Sequence, residues 1–203
     1  DVDTDPNPDT QDSGDSGEDT GPPATGWVQL SAGDTHNCAV DADGNANCWG
    51  YSDAGQLDVP EGVLFTKVDA GLWQSCGLDT SGELHCWGCT GNDLGQCDAP
   101  SGTYDDVSAG QYHSCAVSRS GAVECWGCGS GRDYGQCDAP SGNFMKVSAG
   151  GVHSCGIKRT GEAECWGCEE NEIGQCDPPA YTYAAIDVGT QHSCGMTTSG
   201  ELY

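Results

Sequence analysis

The sequence has little positive charge and no long apolar segments. It contains 6 Lys and Arg against 32 Asp and Glu, which gives a formal net charge of −26. Phosphate binding requires clustered basic side chains, so this balance excludes nucleic acid as a direct partner. No run approaches the roughly 18 apolar residues that a spanning helix needs, so the sequence predicts no membrane span.

Large apolar side chains are also scarce, with only two Phe and two Met in 203 residues. That composition together with the acidic charge is typical of disordered chains. The 15 cysteines argue against disorder, because such a content indicates a disulfide framework in an oxidising compartment. The chain starts at Asp1 without an export signal. We therefore interpret it as the mature form of a secreted or cell-surface protein.

Residues 1–26 form an acidic low-complexity N-terminal tail, and residues 27–203 form a repeat domain. One interpretation of the tail is a solvated linker. The other is calcium binding, because Asp1, Asp3 and Asp5 alternate with other residues much as they do in oxygen-ligand loops. The tail lacks the Gly and the bidentate Glu of an EF-hand loop, so that particular motif is excluded.

The rest of the chain repeats itself with a period of about 39 residues. Segments such as VDAGLWQSCGL and VSAGQYHSCAV align on one glycine per unit, at Gly33, Gly71, Gly110, Gly150 and Gly189. A period of this length with turn residues and no helical pattern is typical of propellers and solenoids. The sequence predicts four full repeats and a C-terminal partial repeat.

Each unit is predicted to be a small antiparallel sheet. In the second unit Cys76, Leu78, Leu84 and Cys86 alternate onto one face of a hairpin whose loop ends at Gly82. The Val-Ser-Ala-Gly stretch adds another short strand. The predicted fold class is therefore all-β, with tandem repeats forming propeller-type blades that are stapled by disulfides.

Cysteines ten positions apart fall opposite each other in these hairpins, where a cross-strand disulfide fits. The predicted cross-strand pairs are Cys38–Cys48, Cys76–Cys86, Cys115–Cys125 and Cys155–Cys165. A second set brackets the following loop, as Cys89–Cys97, Cys128–Cys137 and Cys168–Cys176. Tyr51 and Leu57 replace both members of this second pair in the first unit, as expected for partners. Each closed loop should contribute roughly 2 to 3 kcal/mol.

The fifteenth cysteine, Cys194, has no partner in these seven pairs, so it is either unpaired or forms an intermolecular disulfide. Its partner in register would fall one position after Tyr203, so we hypothesise that the chain continues in mid-hairpin. The repeated C-x-x-C run also allows a redox dithiol or a zinc site. A dithiol repeated three times in one scaffold register is atypical of catalysis, and the first unit has too few cysteines for a four-Cys zinc site.

The unit G-x-x-H-S-C-A-V, its C-W-G run and the following G-Q-C-D-A-P-S-G resemble the regulator-of-chromosome-condensation repeat family, most closely its short secreted bacterial type. The resemblance covers residues 22–203, and in one unit it is carried by His113, Gly121, Trp126, Gly127, Gly135 and Gln136. It implies a β-propeller, typically seven-bladed, with one blade per repeat. It does not carry over the nucleotide-exchange role of the family's nuclear founder, because this acidic chain lacks the founder's basic character.

Four full units and a partial fifth are fewer than seven blades. The sheets are therefore either open or part of a larger propeller, and an exposed sheet edge would be an association site.

Several polar and aromatic residues recur at fixed repeat positions. His36, His113, His153 and His192 share one position with Gln74, which indicates a hydrogen-bonding scaffold role rather than catalysis. Trp49, Trp87, Trp126 and Trp166 share a packing position, and Trp27 and Trp73 lie outside that register. Asp58, Asp98, Asp138 and Asp177 also recur, as candidate calcium ligands or as turn caps.

The sequence thus predicts a non-catalytic extracellular structural or adhesive repeat protein, a self-assembling filament or surface subunit stabilised by disulfides and Ca²⁺. Its predicted partners are further copies of itself or another extracellular protein, and divalent cations. The alternative is a secreted propeller that binds or inhibits another protein through its loops. An enzyme is not predicted, because no Ser/His/Asp or Cys/His constellation and no phosphate-binding glycine loop stands apart from the repeat.

Overall fold

The protein is described by a computed structural model, which covers residues 26–129, 133–168 and 173–203. The predicted tail ligands Asp1, Asp3 and Asp5 lie outside these ranges. The described residues contain β-strands and turns, and the predicted all-β repeat fold is confirmed. Within the same ranges there is no helix long and apolar enough to cross a membrane.

In the described part of the chain, fourteen strands form five antiparallel sheets, one per repeat, which we call blades 1 to 5. Blade 1 contains β1 (Trp27–Ala32), β2 (His36–Asp41) and β3 (Ala46–Gly50). Blade 2 contains β4 (Phe65–Ala70), β5 (Gln74–Asp79) and β6 (Leu84–Gly88), and blade 3 contains β7 (Tyr104–Ala109), β8 (Ser114–Ser118) and β9 (Val123–Trp126). Blade 4 contains β10 (Phe144–Ala149), β11 (Ser154–Lys158) and β12 (Ala163–Trp166), and blade 5 contains β13 (Tyr183–Val188) and β14 (Ser193–Thr197).

The hairpin register is the one that alternation predicts. In blade 2, Cys76 lies opposite Cys86 and Leu78 lies opposite Leu84. The connecting turn needs a left-handed backbone, which Gly82 supplies with a φ of 88°. Each first strand also carries a bulge after its first residue, which increases the local twist of the blade.

Consecutive blades pack through two faces of fixed composition. The trailing face of a blade carries the cross-strand disulfide and its aliphatic neighbours, which in blade 1 are Cys38, Val40, Ala46 and Cys48. The leading face of the next blade carries an aromatic residue, a branched aliphatic residue, an alanine and the third-strand tryptophan, which in blade 2 are Phe65, Val68, Ala70 and Trp87. The same combination recurs between blades 2 and 3 and between blades 3 and 4. Each interface between blades is therefore a small core of one disulfide, two aromatic side chains and a few aliphatic side chains.

The first strands of neighbouring blades also contact each other and line a central cavity of about 500 Å³. Their close approach depends on glycine at the end of each first strand. A Cβ atom on Gly71 would overlap the carbonyl oxygen of Gly110, and one on Gly110 would overlap that of Gly150.

Trp27 lies outside the third-strand tryptophan position, and it occupies a different regular position of the repeat that the sequence analysis did not identify. It lies opposite Asp41 just as Phe65 lies opposite Asp79, which makes it the first-strand aromatic residue of blade 1. Its side chain is 40% exposed, whereas that of Phe65 is 2% exposed. The difference arises because no described blade precedes blade 1.

Candidate functional site

The structure joins fourteen cysteines in the seven pairs that the register predicts. The cross-strand disulfides have Cα–Cα distances of 4.0 to 4.1 Å, and the loop disulfides have Cα–Cα distances of 6.2 to 6.3 Å. The two cysteines of a C-x-x-C run have different partners, because Cys86 bonds Cys76 while Cys89 bonds Cys97. These cysteines therefore serve as staples. Cys194 is free and exposed.

The recurring histidines link one blade to the next. Nε2 of His36 lies 2.8 Å from Oγ of Ser75, and Nε2 of His113 lies 2.7 Å from Oγ of Ser154. The same bond joins blades 4 and 5, and in blade 2 the corresponding Gln74 instead donates from Nε2 to the Gly110 carbonyl at 2.8 Å. These side chains are buried, whereas His192 in blade 5 is exposed.

Burial keeps the bonded histidines neutral. Desolvation, with a smaller contribution from His153, lowers the pKa of His113 to about 3. Desolvation and the neighbouring His192 lower the pKa of His153 to about 4. A histidine that titrates near pH 7 is the usual general base, so this position is suited to holding the scaffold together rather than to acid–base chemistry.

The turns after the repeated glycines surround one end of the central cavity, which we call its mouth. Side chains of non-adjacent blades contact each other there. Gln111 in blade 3 donates from Nε2 to Oδ2 of Asp34 in blade 1 and to Oγ1 of Thr190 in blade 5, the latter at 3.1 Å. These three residues directly follow the invariant glycine of their own units. A single side chain thus connects three turns around the mouth.

The same turns vary in residue type from one unit to the next. Between the fixed glycine and the fixed His or Gln, the five units read Asp-Thr, Leu-Trp, Gln-Tyr, Gly-Val and Thr-Gln. The linker of blade 1 adds Tyr51, which is 45% exposed and whose ring centroid lies 6.4 Å from that of Trp73. We call the surface formed by Asp34, Tyr51, Trp73, Gln111 and Tyr112 the mouth face. The sequence contained this variation between the units, but the surface becomes apparent only once the turns are brought together.

The four recurring aspartates lie in separate linkers. Asp58, Asp98, Asp138 and Asp177 are exposed, and each backbone amide donates to the carbonyl of the glycine three residues earlier, at 3.0 to 3.3 Å. The structure therefore places them at tight turns and does not bring them together. Whether each binds calcium singly stays a prediction.

One group in the described part of the chain has a donor set suited to a metal ion, and sequence reasoning missed it. Asp79, Glu83 and His85 have ligand atoms within 4.8 Å of one another at the hairpin end of blade 2. Burial opposes ionisation of Asp79, but hydrogen bonds from Ser81, His85 and nearby backbone amides hold its pKa well below the usual range. Nε2 of His85 lies 3.0 Å from Oδ2 of Asp79. These hydrogen bonds are enough to explain why the three side chains lie close together without a metal ion.

The two ends of the blade series expose the faces that are buried elsewhere. On the leading face of blade 1, Leu30 is 64% exposed, whereas the equivalent Val68 is fully buried. On the trailing face of blade 5, Met196 is 40% exposed and Leu202 is 78% exposed, whereas Ile157 is 1% exposed. Both open faces are apolar. One is a leading face and the other is a trailing face, the two kinds that pack against each other between consecutive blades.

Comparison with known proteins identifies the type of repeat. A family model described as the regulator of chromosome condensation (RCC1) repeat matches residues 27–56, 65–96 and 104–136. Residues 27–136 therefore contain RCC1-like repeats. The resemblance that its motifs suggest is thereby confirmed. A search of curated proteins finds no match.

Solved RCC1-like propellers resemble the structure over most of its length. The ectodomain of the receptor kinase CR4 from Physcomitrella patens is 27% identical with a TM-score of 0.66, covering 87% of this chain and 50% of that chain. The CRINKLY WD40 ectodomain of the receptor kinase ACR4 from Arabidopsis thaliana is 25% identical with a TM-score of 0.65, covering 86% of this chain and 60% of that one. Prp20p from Saccharomyces cerevisiae, 19% identical with a TM-score of 0.66 over 87% of this chain and 56% of its own, shares the fold. The RCC1-like chain spans 50 to 60% of the length of these three structures.

Proposed function

We propose that this RCC1-like chain is a non-catalytic, extracytoplasmic protein that binds another protein through its mouth face. The main support is the variation of the two-residue turns that follow the repeated glycine. These turns differ in every unit, whereas the glycine before them and the His or Gln after them stay nearly constant. Turns on a rigid scaffold are where binding residues are commonly found. Residues 27–203 would be the folded unit that presents them.

The disulfides and the relatives support an extracytoplasmic compartment. Seven disulfides persist in an oxidising environment outside the cytoplasm. The two plant structures similar to this chain are receptor ectodomains. A non-catalytic role is supported by the repeated histidines, which are neutral, buried and bonded between blades.

The chemistry of the mouth face indicates what kind of partner it suits. Tyr51 and Trp73 offer aromatic contact area, a residue type enriched in binding hot spots. Asp34 adds a carboxylate on a chain whose net charge is −26. A protein patch that combines apolar groups with Lys or Arg would be complementary to this surface.

The test uses the full disulfide-bonded chain, immobilised and exposed to the extracellular proteins of its source organism. The double variant Tyr51→Ala/Trp73→Ala should weaken capture of the bound protein by tenfold or more, on the order of a hot-spot loss. The matched control is Leu64→Ala/Met145→Ala, which removes side chains that are 47% and 45% exposed near the opposite ends of the first strands. Equal affinities for both variants, at unchanged melting temperature, would contradict the proposal.

A structural role in assembly is the second candidate, and the two open apolar faces favour it. Electron microscopy of the native material separates the candidates. Regular fibres would support assembly, whereas isolated particles that retain the mouth-face partner would support binding.

A further inference from the structure

The first linker differs from the later ones where it passes the mouth of the central cavity. In the second, third and fourth units a loop disulfide closes the linker, whereas Tyr51 and Leu57 stand at the positions of its two cysteines in the first unit. The backbone N–H of Tyr51 donates to the Thr35 carbonyl at 3.0 Å, which fixes the linker beside the mouth turn of blade 1. An exposed aromatic side chain therefore stands where the other units have a staple.

A second aromatic residue meets Tyr51 from a variable turn. Trp73 is the second residue of the mouth turn of blade 2, where the other units carry Thr, Tyr, Val and Gln. Its backbone carbonyl accepts from the N–H of Cys89 at 2.8 Å, so the turn is anchored to the disulfide-closed second linker. The ring centroids of Tyr51 and Trp73 lie 6.4 Å apart, and the ring planes are inclined by 60°. We call this pair the aromatic wedge.

A carboxylate lies directly beside the aromatic wedge. The hydroxyl of Tyr51 donates to Oδ2 of Asp53, and this hydrogen bond raises the pKa of Tyr51, so the phenol stays a donor at neutral pH. A phenol that donates to a carboxylate is polarised, which places more electron density in its ring. An electron-rich ring face attracts cations more strongly.

Asp53 does not have the role that its equivalent has in the second unit. There Oδ1 of Asp93 accepts from the N–H of Gly95 at 2.7 Å and so closes the turn. In the first linker the equivalent N–H of Gly55 donates to the Ser52 carbonyl at 3.1 Å instead. The carboxylate of Asp53 is thereby left for the aromatic wedge.

The negative charge at this site is not offset within the described part of the chain. The ion pairs there use other carboxylates, and neither Asp34 nor Asp53 takes part in one. The described basic side chains belong to strands and hairpins of blades 2 to 4, as Lys67, Arg119, Lys146, Lys158 and Arg159. The site thus combines two aromatic rings with unpaired negative charge.

We propose that the aromatic wedge binds the side-chain ammonium group of a lysine, between the rings of Tyr51 and Trp73 and next to Asp53. Cation–π attraction and the charge of the carboxylate then act on the same group. Inclined rings suit a compact ammonium group better than a flat guanidinium group. Because Oδ2 of Asp53 already accepts from Tyr51, the bidentate pairing typical of arginine is disfavoured. The inference rests on the proposed function only in that the lysine belongs to the partner protein.

The probe is Nα-acetyl-lysine N-methylamide, added to the full disulfide-bonded chain with isotope-labelled tryptophan. NMR spectra follow the indole N–H signals of the six tryptophans, and Trp73→Phe identifies the signal of Trp73. At low ionic strength the probe should shift this signal saturably, with an affinity about tenfold higher than that of the uncharged norleucine analogue. This factor combines roughly threefold from the rings with roughly threefold from Asp53. Absence of a saturable shift, or the same affinity for both probes, would overturn the proposal, and tighter binding of the arginine analogue would overturn the assignment to lysine.

Asp53→Asn tests the carboxylate separately, because the amide oxygen can still accept from Tyr51. This variant should bind the lysine probe about threefold more weakly and the norleucine analogue as the wild type does. The matched control is Asp93→Asn, at the equivalent position of the second linker, which should leave the lysine affinity unchanged. If the two variants bound lysine alike, Asp53 would have no part in the site.

This inference and the proposed function can fail separately. If the chain captures no extracellular protein, the proposed function fails while the binding of the lysine probe remains measurable. If the partner is captured equally well by Asp53→Asn and the lysine probe leaves the Trp73 signal in place, the mouth face binds its partner without a lysine, and the present inference alone is wrong.

Discussion

At the scale of single residues, the bond between His36 and Ser75 has a defined direction. The Ser75 hydroxyl donates its proton to the Gln56 carbonyl at 2.9 Å, so Nε2 of His36 must donate to Ser75 Oγ. Nδ1 of His36 is then an unprotonated acceptor, buried without a hydrogen-bond partner. His113 and His153 leave Nδ1 in the same situation. Protonation at this atom would bury an unpaired positive charge.

This arrangement predicts an acid-sensitive fold. The pKa of His113 is about 3 in the folded protein, against 6.5 when unfolded. Between these values the unfolded state binds more protons, so stability is full above pH 6.5 and is lost as the pH falls towards 3. His113 alone should account for a loss of the order of 3 kcal/mol between pH 6.5 and pH 4.

Urea unfolding of the wild type and of His113→Gln at pH 7 and pH 4 measures this loss. Glutamine is the matched replacement, because Gln74 fills the same repeat position in blade 2 with a hydrogen bond to the next blade. The variant should lose clearly less stability on acidification. The same pH dependence in both proteins would show that His113 is not the group responsible.

The histidine position was visible in the sequence, but the ion pairs of the buried Asp106 were not. Asp106 is 1% exposed and lies 2.6 Å from Nζ of Lys67 and 3.8 Å from Nζ of Lys146. The equivalent positions carry Gln29 and Ala185 in blades 1 and 5, so no repeated residue type marks the site. Repetition reveals what every interface requires, and it cannot reveal a contact that only blades 2, 3 and 4 make.

At the scale of strands and blades, alternation was sufficient to predict the hairpins. The pairing of Cys76 with Cys86 follows from a period of two and a turn that ends at Gly82, and both are local properties. The role of Trp27 was missed because its residue type differs from Phe65, Tyr104, Phe144 and Tyr183 at the same position. Which face it belongs to depends on packing between blades, which is not local.

Packing between blades also predicts a severe effect at one glycine. The alanine Cβ in Gly110→Ala would overlap the backbone carbonyl oxygen of Gly150, and a backbone atom cannot turn aside as a side chain can. We expect a loss of about 1 to 3 kcal/mol in the free energy of unfolding, measured by urea titration. Gly26→Ala is the control, since no heavy atom lies within 4 Å of its Cβ position. Comparable stability of the two variants would mean that neighbouring blades separate readily.

At the scale of the whole molecule, charge opposes compaction. A net charge of −26 on 203 residues, with six basic side chains to offset it, makes the folded state repel itself. The seven disulfides resist this repulsion by limiting the expansion of the unfolded chain. Stability should therefore depend on dissolved ions even where no ion is bound at a defined site.

The last prediction separates screening from calcium binding. Raising NaCl from 0.01 to 0.1 M shortens the Debye length from about 30 to about 10 Å, so the melting temperature should rise by a few degrees. Calcium chloride at equal ionic strength should raise it further if Asp58 and Asp98 bind the ion, and Asp58→Asn/Asp98→Asn should remove the difference. Identical melting curves in the two salts would exclude binding strong enough to stabilise the fold. Dispersed carboxylates would then act on the fold only through their shared repulsion, which any cation relieves.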